Sequence, residues 1–300
     1  MGTPAYATTI LKVLVLDKDC EVVLLVTQED KPVGRKQILT PPDSKAWIIE
    51  KNIEIPVYQP KSLRNAEATE LIASYKPDFI IVAAYGKLLP KEILEIAPCI
   101  NLHASLLPLY RGASPIQSTL LSNDRYTGVT SMLMEEGMDT GAMLGFSYHL
   151  ISEPETAGDL FERLAQNAAL LTLLSLKNFA SLVPLKQVNA DASHCKKIKK
   201  EDGEVSFELT ADEIMTKFKA LTPWPGIFLP SGLKLLDIAV LNEANNAKEG
   251  VIDSFDKEGI AVTCKENALF IKRVQPISKG PMRAVDYIRG KRLTIGDRLA

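Results

Sequence analysis

The chain has 300 residues, of which 46% are hydrophobic and 24% are charged, and its formal net charge is −2. These proportions are typical of a globular protein and exclude a disordered one, and at roughly 150 residues per domain the length predicts two domains. The four cysteines lie far apart and the three histidines are scattered, so the sequence predicts neither a disulfide framework nor a metal site. Neither a signal peptide nor a membrane-spanning helix is predicted, and we expect a cytoplasmic protein without a membrane partner.

Short apolar runs alternate with helical patterns through the N-terminal part of the chain. Strands are predicted at residues 21–27, 53–58, 78–83, 99–103, 126–134 and 142–150. Helices are predicted at residues 5–15, 42–51, 66–75, 91–97 and 157–181. This alternation indicates βαβ units, and therefore a Rossmann-like α/β fold around a buried, largely parallel sheet.

The chain opens on a helical pattern rather than on a strand, because Met1-Gly2-Thr3-Pro4 leads directly into the first predicted helix. A sheet of this kind normally begins with a strand whose carboxyl end turns into that helix. Either the first strand is supplied otherwise, or the gene product begins a few residues upstream of Met1, and we expect the latter.

The character of the sequence changes in the polar stretch at residues 185–200, which we interpret as a linker between a first domain, residues 1–184, and a second, residues 201–300. In the second domain Thr210 and Glu213 have the spacing of a capping box that opens a helix. Short strands separated by Asn, Gly and Asp predict a small β-barrel there; they are residues 234–241, 251–254, 260–263 and 269–274.

Charge is distributed unevenly along the chain. From Leu185 onward there are 19 basic and 16 acidic residues, and the last 29 residues contain eight basic and two acidic ones. Such an asymmetry suggests a polyanionic partner at the C-terminal end. A solvated basic face is the alternative, and charge alone favours it.

Asn101 and His103 lie at the C-terminal end of a predicted central strand, which is where open α/β sheets bind ligands. Residues two apart in a strand share a face, so these two side chains are expected to project together. An amide donor beside an imidazole can polarise a carbonyl and stabilise a developing oxyanion. A polar pair that simply closes a strand is an equally compatible interpretation.

Asp139 lies between Gly137 and Gly141 in a segment that connects two predicted strands. A hairpin turn is the simplest explanation, since Asp and Gly are favoured there for backbone reasons. The functional alternative is a carboxylate that the turn delivers to His103, to orient the ring or to accept a proton. Spacing alone favours the turn.

The segment of residues 28–37 is longer than the usual strand-to-helix connection and contains the basic pair Arg35 and Lys36. A long basic loop beside the ligand edge of a sheet could hold phosphates, and a solvated loop is the alternative. The chain contains neither GxGxxG nor GxxxxGK[ST], which weakens a dinucleotide-binding or nucleotide-hydrolysing interpretation.

Several segments resemble the folate-dependent formyltransferases, namely residues 101–108 with 111–113, the turn at 138–141 and the opening residues 2–4. Others are similar to the branch of that family that formylates methionine on initiator tRNA, namely residues 30–36, 84–87 and 224–226. The resemblance extends over essentially the full length of the chain. Each motif alone is unspecific, but together they are specific.

The resemblance implies a Rossmann-like formyltransferase domain followed by an OB-like, tRNA-binding domain. It implies transfer of a formyl group from 10-formyltetrahydrofolate to the α-amino group of methionyl initiator tRNA, for translation initiation. This chemistry requires no metal. We expect a monomer, although the sequence does not give the oligomeric state. The residues it implies are Asn101, His103 and Asp139 for catalysis, Ser105, Leu106, Leu107 and Pro108 for folate binding, and Arg35 and Lys36 for tRNA binding.

Related enzymes offer alternatives that the catalytic residues cannot separate. Enzymes of the same fold formylate glycinamide ribonucleotide or amino sugars, or hydrolyse the formyl donor, and they share the Asn-His-Asp set. The basic loop and the second domain favour tRNA as the acceptor. A non-catalytic RNA-binding module is a further alternative, against which the intact Asn-His-Asp set argues.

Overall fold

The computed structural model describes residues 1–34, 36–242 and 248–299. The chain divides into two compact units. The first consists of Met1–Ile116, Arg125–Ile151 and Asp159–Lys196, and the second of Gln117–Asp124, Ser152–Gly158 and Lys197–Ala300. Most of the stretch at residues 185–200 thus belongs to the first unit.

Helices and strands alternate in the N-terminal part of the chain, as the hydrophobic pattern predicts. The helices are α1 (Ala5–Leu16), α2 (Asp43–Glu50), α3 (Ala66–Ser74), α4 (Lys91–Leu94), α5 (Pro115–Leu121) and α6 (Ala157–Asn178). The strands are β1 (Leu25–Val26), β2 (Lys31–Val33), β3 (Ile38–Thr40), β4 (Val57–Tyr58), β5 (Ile80–Val82), β6 (Cys99–His103), β7 (Arg111–Gly112), β8 (Tyr126–Leu133), β9 (Met143–Leu150) and β10 (His194–Cys195).

A four-stranded sheet in the order β5-β6-β8-β9 forms the centre of the first unit. β5 and β6 pair in parallel, whereas β8 is antiparallel to both of its neighbours. Ile100 and Leu102 of β6 are buried, as is Val129 of β8, because helices cover these strands and apolar side chains are driven out of water on both faces. A separate parallel pair, β1 with β4, completes the α/β arrangement.

Met1 and Gly2 join the two sheets. The Gly2 amide donates to the Val26 carbonyl at 3.0 Å, and the Ala83 amide donates to the Met1 carbonyl at 3.0 Å. A Cβ at Gly2 would lie 2.3 Å from the Cβ of Ala7, so only glycine fits between this strand end and the start of α1.

A cavity of about 890 Å³ lies beside Met1 and Gly2 and is also lined by residues of β1 and β5. It is lined largely by apolar side chains, including Ile10, Leu14, Leu24, Ile72 and Ile80. Among the described residues only Met1 and Gly2 pair across it, so the predicted strands at 21–27 and 78–83 shorten to β1 and β5.

Adding five apolar residues ahead of Met1 is expected to raise the melting temperature by about 5 °C or more, because the added segment would bury apolar surface in the cavity and pair with both flanking strands. Differential scanning calorimetry measures this. An extension of equal length that alternates Asp and Pro is the control, since it can neither be buried nor form the ladder. Equal melting temperatures for the two extensions would contradict the prediction.

The same extension is expected to change the pH dependence of stability. Burial removes water from the Met1 ammonium group and lowers its pKa from 8.0 to about 5. Folding then expels a proton between these pH values, so this group makes stability rise from pH 5 to pH 8. The extension converts the amine to an amide, and the difference in melting temperature between pH 5 and pH 8 should shrink relative to the unextended chain.

The second unit is built around an antiparallel sheet in the order β11-β12-β15-β14-β13, with β16 added to β15. Its elements are α7 (Ala211–Leu221), β11 (Ile227–Phe228), β12 (Lys234–Leu241), β13 (Ile252–Phe255), β14 (Ile260–Thr263), β15 (Ala268–Gln275), β16 (Met282–Arg283) and α8 (Ala284–Lys291). Among the described residues no ladder joins β11 to β13, so this sheet is open where a barrel would be closed.

The predicted capping box opens α7. The Glu213 amide donates to the Thr210 hydroxyl at 3.1 Å, and the Thr210 amide donates to the Glu213 carboxylate at 2.8 Å. These hydrogen bonds lower the pKa of the Glu213 carboxyl. Across the described part of the chain, none of the helices combines the length and the apolar character needed to cross a membrane.

Candidate active site

Asn101 and His103 project from the same face of β6, at its C-terminal end, as their spacing predicts. Asn101 lies opposite Val82 of β5 and Met132 of β8, and His103 lies opposite Thr130 of β8. His103 is only 6% exposed. Strand pairing on both sides of Asn101, and on one side of His103, therefore fixes the backbone from which the amide and the imidazole project.

The connection between β8 and β9 carries Asp139 in a left-handed backbone conformation with φ of 54°. Aspartate tolerates this region better than most residues. A Cβ at Gly141 would lie 1.8 Å from the Leu133 carbonyl oxygen, so the turn can close only with glycine there. The two interpretations of this segment, a hairpin turn and a carboxylate directed at His103, are therefore compatible, because the turn carries the carboxylate.

Asp139 lies between the two β6 side chains. The Asn101 Nδ2 donates to Asp139 Oδ1 at 3.3 Å, and His103 Nδ1 lies 3.7 Å from Asp139 Oδ2. The Gly112 amide donates to the same Oδ2 at 2.8 Å. The structure therefore brings together three side chains from two distant stretches of sequence.

The tautomer of His103 follows from its second contact. Its Nε2 lies 2.9 Å from the Tyr110 carbonyl oxygen, which can only accept a hydrogen bond. Nε2 therefore carries a hydrogen, and Nδ1 is the nitrogen that faces Asp139. A proton arriving at Nδ1 would point directly at the carboxylate.

Hydrogen bonds of buried side chains hold the turn at residues 105–108, which is predicted to bind folate. The buried Ser105 hydroxyl donates to the Leu109 carbonyl at 2.6 Å, and Thr130 Oγ1 accepts from the Leu107 amide at 2.9 Å. Leu107 is buried in a cluster with Met132 and Met143. Ser105 and Leu107 thus hold the turn, whereas the partly exposed Leu106 and Pro108 can contact a ligand.

Several apolar side chains close in sequence to Asn101, His103 and Asp139 are exposed. Leu109 is 42% exposed and Met138 is 59% exposed, next to the partly exposed Leu106 and Pro108. No Lys or Arg occurs between Asn101 and Tyr110. Ligand pockets commonly combine apolar surface with a few polar groups, and these residues have both.

The long basic segment is a hairpin of β2 and β3 rather than an irregular loop. Its base is held by Lys45, which donates to Asp30 at 2.9 Å and to Gln59 at 2.8 Å. Hydrogen bonds from Gln59 and then Lys45 lower the pKa of the Asp30 carboxyl. Lys36 is exposed at the tip of the hairpin, whereas Arg35 lies outside the described residues.

Residues 187–195, which the sequence predicts to be part of a linker, contact this site directly. β10 pairs in parallel with β7, and the Ser193 hydroxyl accepts from the Tyr110 amide at 2.8 Å. Buried Arg111 donates to Gln187 Oε1 at 2.9 Å and to Asn189 Oδ1 at 3.0 Å. The sequence did not predict these contacts, because a polar stretch without periodicity has the same pattern in a solvent-exposed linker as in a segment packed against the domain.

Two family models match this chain. One, described as formyl transferase, matches residues 2–174, and the other, described as formyl transferase, C-terminal domain, matches residues 197–292. The chain belongs to the formyl transferase family. This confirms the family resemblance and the fold class of an α/β formyltransferase domain followed by a second domain.

Relatives and solved structures agree with this assignment. The methionyl-tRNA formyltransferase of Nitratiruptor sp. is 52% identical over 297 residues, which are 99% of this chain and 97% of the relative. That of Campylobacter lari is 52% identical over 299 residues, covering 100% of this chain and 98% of the relative. A crystal structure of the sugar 3N-formyl transferase WlaRD matches with a TM-score of 0.65 and 18% identity, over 93% of this chain and 97% of that one.

A second solved structure, HypX from Aquifex aeolicus in complex with tetrahydrofolic acid, has a TM-score of 0.62 and 16% identity, over 88% of this chain and 46% of that one. At such identities the two structures show a shared fold and nothing more.

Proposed function

We propose that this chain transfers a formyl group from 10-formyltetrahydrofolate to the α-amino group of methionine on initiator tRNA. The observation that carries the proposal is the Asp139 carboxylate in contact with both the Asn101 amide and the His103 ring. The identity of 52% to proteins named methionyl-tRNA formyltransferase, over nearly the whole of both chains, supports the acceptor.

Asn101 supplies a hydrogen bond to the formyl oxygen. An amide nitrogen carries two hydrogens, so Asn101 can donate one to Asp139 and direct the other at a carbonyl. Negative charge grows on that oxygen as the amine attacks, and a donor already in place stabilises it without reorganisation. The hydrogen bond to Asp139 keeps the amide from rotating away.

His103 and Asp139 transfer protons during the reaction. The attacking amine, with a reference pKa of about 8, must be neutral, and the departing N10 of the folate must gain a proton. A C–N bond forms at the methionyl nitrogen, the bond to N10 breaks with its electron pair on N10, and the proton lost by the first nitrogen balances the one gained by the second. The adjacent carboxylate and imidazole provide the relay.

A tRNA acceptor is favoured over a small amine by two surfaces. The β2–β3 hairpin presents Lys31 and Lys36 to solvent. The last 29 residues contain eight basic and two acidic residues. Basic side chains suit phosphate contacts along a nucleic acid backbone.

The proposal is tested by an assay of formyl transfer to charged initiator tRNA, charged elongator tRNA and glycinamide ribonucleotide. We expect the highest kcat/KM with initiator methionyl-tRNA, and a KM that rises with salt because phosphate contacts release counterions. Preferential formylation of glycinamide ribonucleotide, or hydrolysis of the donor at the same rate without an acceptor, would contradict the proposal.

Replacing Arg35 and Lys36 together by alanine is expected to raise the KM for tRNA about tenfold, equivalent to about 1.4 kcal/mol, with kcat unchanged. Steady-state kinetics over a range of tRNA concentrations measures both constants. The matched control is Lys51→Ala with Lys91→Ala, two exposed lysines outside the hairpin. If the two double variants have the same KM, the hairpin has no role in tRNA binding.

A further inference from the structure

Gln187 lies between the Asp139 turn and the Arg111 segment. Its Nε2 donates to the carbonyls of Asp139 and Gly141, each at 2.8 Å. Its Oε1 accepts from Nε and Nη2 of Arg111 at 2.9 and 2.8 Å. Both hydrogens and both lone pairs of this one amide are therefore used.

Only an amide can make this set of contacts. The two carbonyls require a donor and the guanidinium requires an acceptor, so the orientation of the Gln187 amide is determined by its partners. A carboxylate of the same shape would keep the Arg111 contacts but would place lone pairs against both carbonyl oxygens. An alanine would lose all four hydrogen bonds and leave the buried guanidinium of Arg111 with fewer partners.

These contacts converge on the catalytic carboxylate. Arg111 is 4% exposed and immediately precedes Gly112, whose amide donates to Asp139 Oδ2 at 2.8 Å. Gln187 therefore links the backbone of Asp139 to the segment that holds its side chain. Asp139 has a positive φ, a conformation that costs energy and persists only where surrounding contacts impose it.

We infer that Gln187 is a positioning residue for the reaction: it holds Asp139 so that the carboxylate faces Asn101 and His103. The inference rests on the proposed function. Gln187 acts through Asp139, and a displacement of the carboxylate by about 1 Å is enough to cost about 100-fold in rate.

The test combines Gln187→Ala and Gln187→Glu with Asp139→Ala. Each Gln187 variant is expected to lower kcat about 100-fold and to leave the KM for either substrate within about threefold of the parent value. In the Asp139→Ala background, Gln187→Ala should lower kcat by no more than about threefold further, because the group through which it acts is already gone. Gln166→Ala, an exposed glutamine on α6, is the matched control and should keep the parent kcat.

A second readout does not depend on activity. Hydrogen exchange of the Gly112 amide reports its bond to Asp139, and exchange should accelerate in Gln187→Ala but not in Gln166→Ala. Equal losses of kcat in the parent and Asp139→Ala backgrounds, or unchanged exchange at Gly112, would overturn the inference. A parent chain unable to formylate any acceptor would instead contradict the proposed function, and the exchange measurement would still decide the role of Gln187.

Discussion

Asn101→Ala is expected to lower kcat about 100–1,000-fold while the chain stays folded. In the proposed mechanism the amide donates to the carbonyl oxygen where charge develops, and alanine leaves that oxygen without this stabilisation. Because the Asn101 side chain is only partly buried, its truncation creates no large cavity. Single-turnover kinetics with saturating substrates isolates the chemical step.

Asn178→Ala provides the matched control, since Asn178 is an exposed asparagine at the end of α6 that donates to the Leu174 carbonyl within its own helix. It should keep the parent kcat. Circular dichroism and the melting temperature establish that both variants are folded. A kcat for Asn101→Ala within about fivefold of the parent value would remove the oxyanion role from Asn101.

Asp139→Ala is expected to lower kcat about 100–10,000-fold, the range seen when a general acid or base is removed. The loss should be at least as large as that of Asn101→Ala, because the carboxylate contacts the amide, the imidazole and the Gly112 amide. Asp139→Asn keeps an oxygen for Gly112 but removes the negative charge, so it should be comparably inactive. Rapid-quench measurement of formyl transfer tests both variants.

Glu136→Gln is the control for the loss of a carboxylate, since Glu136 is exposed in the same turn. It should retain the parent rate. That result would show that the effect of Asp139 depends on its position and not on the total negative charge of the turn. If Asp139→Asn formylates at a near-normal kcat, the proton relay proposed for His103 and Asp139 is wrong. Asp139 would then be a structural turn residue.

Elements defined by residues close together in the chain were predicted well from the sequence. The helical stripe at 157–181 is present as α6 followed by a short 3-10 turn, and the Thr210–Glu213 capping box opens α7. Periodicity and capping depend on residues a few positions apart, so a single sequence contains the information. The helix α8 and the β2–β3 hairpin were not predicted, because their local patterns are weak.

The residues of the candidate active site also fall into those that the sequence pattern predicts and those that only the structure brings together. Asn101 and His103 could be paired from their spacing, since a strand places alternate residues on one face. Asp139 could not be distinguished from an ordinary turn residue, because its partners are 38 and 36 positions away and only the registers of β6, β8 and β9 bring it to them. The family resemblance identified it where spacing did not.

By itself, the sequence determined the alternation of helices and strands, the placement of Asn101 and His103 on one strand, and the family resemblance. The tertiary structure alone decided that the Asp139 carboxylate meets that pair and that Gln187 links the Asp139 turn to Arg111. In the part of the chain that the structure describes, Met1 and Gly2 join the two sheets by backbone hydrogen bonds. The physical reason is that periodicity is a property of neighbours along the chain. Contacts between distant segments depend on strand register and on the buried packing that brings those segments together.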